Sequence, residues 1–314
     1  MKKWKDKLMN RSILMILLLV ILACAGCSKK QEDKPDEKQN EISSEYTIAE
    51  PISIVHNQTY KSYDLTGDGK QDQLQFVCLE VTEEFGDEVY GTKWAVLVNG
   101  KTMLTFDSEG MFCLEGTLYQ VDAERNYIFL KQCLNTNDDI EGAALYRFED
   151  GYLRKELDLY DWVTRNINVF HCYIDVTNVT GRYLTVQCAN QFNATAYLRW
   201  EMNYEYNAAD DSWEAFDEVY LLRYDNGLEY KAIGMTANQK FEVYEDWTCE
   251  DRAFWVKKGD VVKLKQIRFY EGETYFNVED EEGRTGWFPD PKEIGIQQGD
   301  TYIYGLFEEA QFAG

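Results

Sequence analysis

The chain has 314 residues, with 56 acidic side chains against 32 basic ones and a formal net charge of −24 at neutral pH. Such an acidic surface repels phosphate backbones, which argues against a nucleic-acid partner. Aromatic residues make up 15% of the chain, with 22 tyrosines and four prolines, and this composition is typical of folded β-structure.

The N-terminus has the pattern of an export signal. Its basic residues Lys2, Lys3, Lys5 and Lys7 precede an unbroken apolar run over 13–23, which is short for a membrane-spanning helix. The run ends in Cys24-Ala25-Gly26-Cys27, which resembles the lipobox of bacterial lipoproteins. The resemblance implies that residues 1–26 are a lipoprotein signal peptide and that Cys27 is lipidated. One alternative is that Cys24 is the lipidated residue. The other is that the segment is an ordinary secretory signal and no cysteine is lipidated.

Residues 27–50 are predicted to form a flexible tether. They carry many charges and no apolar period, so they have no face to bury against a core. With the lipobox, this segment predicts an extracytoplasmic protein. Its membrane contact would be an N-terminal lipid on the outer face of the bacterial cell membrane.

A short acidic loop, DLTGDGKQD, precedes the first clear strand pattern. Short oxygen side chains at this spacing suit a hard cation, and glycines permit the positive φ angles that a tight turn needs. The predicted ligands are Asp64, Thr66, Asp68, the carbonyl of Lys70, and Asp72. Gln75 takes the place of a bidentate glutamate, and strand periodicity follows, so the loop is not a helix–loop–helix EF-hand. The alternative is a glycine-rich turn without an ion.

Residues 51–228 contain three units of similar pattern, each a strand, a polar excursion and a hairpin. The predicted hairpin turns are Asn99-Gly100, Glu149-Asp150-Gly151 and the segment from Asn207 to Ser212. The first strands of the units end in cysteines that are 55 residues apart, namely Cys78, Cys133 and Cys188. Equal spacing indicates structural equivalence.

The acidic loop is similar to the calcium loop of FG-GAP repeats, the integrin-α or VCBS type found in bacterial lipoproteins. Thr66 departs from the family, which prefers Asn or Asp at that position. The resemblance implies a structural Ca²⁺ ion in the first unit. It also implies an all-β fold with a partial propeller-like stack of antiparallel sheets, since three units are too few for a closed seven-bladed propeller.

Residues 229–314 are predicted to form an SH3-like barrel, and the resemblance that predicts it covers about residues 239–305. The matching segments are Val243-Tyr244-Glu245-Asp246, Lys258-Gly259-Asp260, and the hairpin end from Gly283 to Pro289. The tryptophan with which SH3 domains hold proline-rich ligands is replaced around Tyr275-Phe276. The resemblance implies an aromatic groove for an extended peptide, lined by Tyr244, Trp287 and Pro289. The alternative is that these three fill the core and rim of a small barrel.

Chemistry-bearing motifs are few. The cysteines and the two histidines form no metal-binding or triad motif, so zinc and nucleophilic catalysis are not predicted, and a Cys113–Cys172 disulfide is left open. We therefore expect a non-enzymatic, surface-anchored binding or adaptor module whose SH3-like domain contacts cell wall or an envelope protein. The alternative is a cell-envelope hydrolase or accessory subunit that uses loop carboxylates, such as Glu83, Glu84, Asp138 and Asp139.

Overall fold

Strands account for nearly all of the regular structure. The computed structural model describes residues 50–56, 58–61, 64–85, 88–120, 125–134, 139–167, 172–215, 217–223, 233–293, 295–298 and 301–308. These residues form antiparallel sheets and one short helix, which confirms the predicted all-β fold class. Signal peptide 1–26, Cys27 and nearly all of tether 27–50 lie outside the described residues.

The first sheet has eight strands built from successive hairpins. They are β1 (Ile52–Ile54), β2 (Thr59–Lys61), β3 (Gln73–Phe85), β4 (Glu88–Val98), β5 (Lys101–Gln120), β6 (Asn126–Leu134), β7 (Ile140–Glu149) and β8 (Tyr152–Asp158). Strands β2 to β8 lie side by side in sequence order, and β1 pairs with the C-terminal part of β5. The first two predicted units therefore share one sheet.

Two tight turns set the register of this sheet. Asn99 and Gly100 have φ angles of 50° and 76°, and Asp150 and Gly151 have φ angles of 50° and 83°. Positive φ at both central residues matches the right-handed twist of the strands that a two-residue hairpin joins. The strands flanking the turns pair directly across them, which confirms both predicted hairpins.

The second sheet has eleven strands and follows the helix α1 (Leu159–Asn166). They are β9 (Tyr173–Thr180), β10 (Tyr183–Phe192), β11 (Ala196–Asn207), β12 (Ser212–Ala215), β13 (Val219–Arg223), β14 (Ile233–Thr236), β15 (Phe241–Tyr244), β16 (Arg252–Val256), β17 (Val261–Tyr270), β18 (Glu273–Asp280) and β19 (Thr285–Pro289). The main path runs β16-β15-β19-β18-β17-β13-β11-β10-β9. Strands β20 (Gly295–Gln298) and β21 (Thr301–Tyr304) pair separately.

Strand β13 joins the third predicted unit to the C-terminal strands. It pairs with β11 on one side and with β17 on the other, so the sheet continues from one segment into the next. The predicted domain boundary at 228/229 falls in 224–232, outside the described residues. Strands β15 to β19 are antiparallel neighbours, and the described strands do not close into a barrel.

Two hydrophobic cores hold the sheets. The larger one contains side chains of both sheets, including Phe129 and Leu145 from the first and Trp200, Phe276 and Phe288 from the second. The smaller one lies on the opposite face of the first sheet. Successive residues from Tyr127 to Leu130 of β6 alternate between them, so this part of the strand is buried on both faces and reads as a short apolar run. Each large side chain buried in this way contributes about 1.5–3 kcal/mol.

The cysteines add no covalent link. All six of those in the described residues are free thiols, so the Cys113–Cys172 disulfide is not formed. Cys113 stands directly opposite Cys133 on neighbouring strands instead. Burial raises the pKa of the Cys113 thiol to about 12, so it behaves as a small buried apolar group. Within the described part of the chain, no helix has the length and apolarity needed to cross a membrane.

Candidate functional site

The acidic loop is closed by its own carboxylates. Asp64 accepts hydrogen bonds from the backbone N–H groups of Asp68 (3.0 Å) and Gly69 (2.6 Å). Asp72 is 2% exposed and accepts from the N–H groups of Leu65 (2.6 Å) and Thr66 (2.8 Å). Gly67 and Gly69, with φ angles of 73° and 82°, permit the reversal of the chain that aims these N–H groups inward.

Asp72 also ties the loop to the first hairpin. Its second oxygen accepts from the side-chain amide of Asn99 (2.5 Å) and from the Thr66 hydroxyl (3.2 Å). The side-chain oxygen of Asn99, Oδ1, in turn accepts from the backbone N–H of Gln73 (2.9 Å), the first residue of β3. This network fixes the start of β3 against the turn between β4 and β5.

The three predicted carboxylate ligands, Asp64, Asp68 and Asp72, therefore accept from protein donors, Asp68 from the backbone N–H of Lys70 (2.9 Å). The ammonium group of Lys70 lies 3.6 Å from the carboxylate of Asp68. Nowhere in the described residues do three or more His, Cys, Asp or Glu side chains group in a way that holds a metal ion. Calcium binding by Asp64, Thr66, Asp68, Lys70 and Asp72 stays a prediction.

The three residues of the predicted peptide groove lie on one face of the second sheet. Trp287 on β19 stands opposite Tyr244 on β15 and Asn277 on β18, and Pro289 stands opposite Tyr275. Directly opposed residues in antiparallel strands point to the same side. The alternate residues of these strands, such as Phe276 and Phe288, enter the core between the sheets. We call the outward side the aromatic face.

Trp247 extends the aromatic face, and the sequence analysis missed it. Its ring centroid lies 4.6 Å from that of Tyr270 and 6.1 Å from that of Tyr275, and the guanidinium carbon of Arg268 lies 4.3 Å from the Trp247 ring. The turn after β15 places it there, since Asp246 accepts from the N–H of Thr248 (2.8 Å). The signal in the sequence was its position directly after the Val243–Asp246 segment.

The opposite end of the aromatic face carries Trp255, which is 36% exposed. The ammonium group of Lys240 lies 3.6 Å above its ring. Beside it, the Tyr244 hydroxyl donates to Glu242 (2.8 Å), which also pairs with Arg252 (3.2 Å). These hydrogen bonds lower the pKa of Glu242, the bond from Tyr244 being the larger cause. Partly exposed aromatic rings thus alternate with fixed polar groups along the face.

Of the carboxylates proposed for a hydrolase, the structure describes Glu83, Glu84 and Asp139, the last of which accepts from the N–H of Leu134 through its backbone carbonyl (2.8 Å). Glu83 and Glu84 lie exposed on β3, opposite Tyr90 and Val89 of β4. Asp138 lies outside the described residues. Searches of protein-family models, curated proteins and solved structures gave no match to this chain.

Proposed function

We propose that the chain is a lipid-anchored binding module of the bacterial cell envelope, and that its aromatic face binds an extended, proline-containing peptide of an envelope partner. One observation carries the proposal: the predicted groove residues Tyr244, Trp287 and Pro289 share a face with Trp247 and Tyr275. Trp and Tyr rings hold proline-rich peptides because such peptides are already extended and lose little conformational entropy on binding.

Rigidity supports this role. The rings of Tyr244, Trp287 and Tyr275 project from paired strands whose other face packs in the core. A surface held in this way needs little ordering when a partner binds, so more of the contact energy appears as affinity. Tyr270 is 41% exposed and leaves apolar area for a ligand to cover.

The N-terminal segment supports the location. A lipid on Cys27, followed by a charged tether to residue 50, would hold the folded part clear of the membrane surface. The acidic composition of the chain also keeps the folded part away from anionic head groups. The proposed partners are therefore other components at the outer face of the membrane.

Peptide titration of the full chain in detergent tests the proposal. The ligand is a proline-rich peptide, and its control has the prolines replaced by alanine. We expect Trp247→Ala and Trp287→Ala each to weaken binding by about tenfold or more, as central interface tryptophans do. Tyr152→Ala removes another exposed ring, 67% exposed in the first sheet, and should leave binding unchanged. Unchanged melting curves confirm that the variants fold.

Two results contradict the proposal. The first is equal binding of the proline-rich peptide and its alanine control. The second is an equal loss of affinity in Tyr152→Ala and Trp287→Ala, since general stickiness of exposed aromatic rings would then explain the binding.

A further inference from the structure

A polar cleft lies on the first sheet, away from the aromatic face. It has a volume of about 330 Å³ and opens where β6, β7 and β8 meet α1. This volume is at the lower end of the range for small-molecule sites, about 300–1,000 Å³. Its polar lining includes the side chains of Gln132, Glu141, Lys155, Asp158, Tyr160 and Thr164.

Glu141 reaches the cleft because of a β-bulge. Gln132 pairs with Gly142, but the next residue, Cys133, pairs with Ile140, so Glu141 is an extra residue in β7. Bulges of this kind re-aim one side chain and are frequent beside functional sites. One carboxylate oxygen of Glu141 accepts from the Ser108 hydroxyl (3.1 Å). Its other oxygen, Oε1, is buried and has no hydrogen-bond partner within the described structure.

The other charged groups of the cleft already have partners. The ammonium group of Lys155 lies 2.8 Å from Asp158, whose second oxygen caps α1 by accepting from the N–H of Asp161 (2.9 Å). Asp161 pairs with Arg165 one turn later (2.9 Å). The strongest acceptor that lacks a donor is therefore Glu141. A buried acceptor without a donor is unfavourable, and a donor on a ligand would remove that cost.

The floor of the cleft is apolar. It is made by Leu130, Ala144 and the rings of Phe106 and Tyr146, whose centroids lie 6.5 Å apart in an edge-to-face arrangement. At Gly142 an added Cβ would lie 2.3 Å from the side-chain nitrogen Nε2 of Gln132. Glycine at this position therefore leaves room for the Gln132 side chain. Burial, followed by nearby negative charges that include Glu141, raises the pKa of Tyr160 and keeps its hydroxyl protonated.

We propose that this cleft binds one saccharide ring of hexose size. A sugar ring has an apolar face for the aromatic floor and hydroxyl groups around its edge. One hydroxyl would donate to the carboxylate of Glu141, while the others meet Gln132, Asp158 and Thr164 at the rim. A phosphate or carboxylate ligand is disfavoured by the unpaired Glu141, and a purely apolar ligand would leave it unsatisfied. A simple alkylamine would pair with Glu141 and leave the rest of the rim without a ligand partner.

The test is an NMR titration of the full chain in detergent with glucose, galactose and N-acetylglucosamine, each observed by saturation transfer to the sugar protons. Butylamine and inorganic phosphate serve as comparison ligands. We expect at least one sugar to bind. Glu141→Gln, which keeps the size of the side chain and removes its charge, should weaken that binding by about tenfold. Glu281→Gln, a matched change at an exposed turn, should leave it unchanged.

Trp247→Ala separates this site from the aromatic face. We expect it to bind sugar as the parent does, so loss of peptide binding and loss of sugar binding are independent results. The proposal is overturned if no sugar binds, if butylamine alone binds, or if Glu141→Gln binds sugar as tightly as the parent while both proteins melt alike.

Discussion

Replacing Asp72 with alanine is expected to destabilise the protein in the presence and in the absence of calcium. The hydrogen bonds that the buried Asp72 carboxylate accepts include two from the backbone of the acidic loop, one from the Thr66 hydroxyl and one from Asn99. Alanine leaves these donors without an acceptor. Asp68→Ala is the matched control, because the exposed side chain of Asp68 accepts only from Lys70 (2.9 Å) among the hydrogen bonds of the loop.

The magnitude follows from the exposure of the donors. Leu65 is 5% exposed, so its N–H cannot turn to water, whereas Thr66 and Asn99 lie at the surface and can recover part of their bonding. Hydrogen bonds to charged groups contribute about 1.5–3 kcal/mol each, and we expect a total loss of about 2–4 kcal/mol. For a chain of this size that lowers Tm by roughly 5–15 °C. Asp68→Ala should change the unfolding free energy by about 0.5 kcal/mol or less.

Thermal melts of both variants and the parent, in calcium and in chelator, provide the measurement. The contacts of Asp72 predict this loss in chelator, and a bound ion would enlarge it in calcium because Asp72 is also a predicted calcium ligand. The reasoning is refuted if Asp72→Ala and Asp68→Ala have the same Tm in chelator, or if Asp72→Ala lowers Tm in calcium alone. The calcium prediction from the sequence is tested by the parent in the same experiment. At ten times its Kd, a bound ion would add about 1.4 kcal/mol, and identical parent curves would contradict it.

Three further predictions concern the second sheet. Gly286→Ala should lower the free energy of unfolding in urea by about 1–3 kcal/mol, because the added Cβ would lie 2.4 Å from the backbone carbonyl oxygen of Tyr244. An unchanged unfolding midpoint would contradict this prediction. Burial raises the pKa of Asp290 to about 7, although hydrogen bonds from two backbone N–H groups act in the opposite direction. The folded protein therefore holds a proton that the unfolded chain releases, and the unfolding free energy should fall as pH rises from about 4 to 7. Asp290→Asn should flatten that dependence, and an equally steep profile would contradict it. A fragment of residues 233–308 should unfold with low cooperativity, because the core that its strands share in the full chain also contains Trp200, which the fragment lacks. A sharp, parent-like melt would show that the fragment folds alone.

Much of the fold could be predicted from local patterns. Asn99-Gly100 and Asp150-Gly151 specify hairpins through their φ preferences. The 55-residue spacing places Cys78, Cys133 and Cys188 in β3, β6 and β10, but the first strand predicted for the third unit is two strands, β9 and β10, which pair across a turn at Gly181. The assignment of strands to sheets could not be predicted. Alternation shows which side of a strand is buried, but not which strand lies at its edge. The pairing of β13 with both β11 and β17 is a long-range choice of that kind.

The candidate sites show the same division. Tyr244, Trp287 and Pro289 could be selected as candidates because they fall in motifs that resemble a known family. Trp247 was missed because a turn, and not a strand period, brings it to the aromatic face. Glu141 was missed because a bulge breaks the alternation that sequence reasoning depends on. In the acidic loop, the spacing of the carboxylates was visible, but their backbone partners were not.

The central claim is that the aromatic face binds an extended peptide, and site-specific photo-crosslinking tests it most directly. A proline-rich peptide carrying a photoreactive group would be mixed with the full chain in detergent, and the attachment points would be mapped by mass spectrometry. We predict attachment at Tyr244, Trp247, Tyr275 or Trp287. Attachment confined to the first sheet, for example around Tyr152, would contradict the claim.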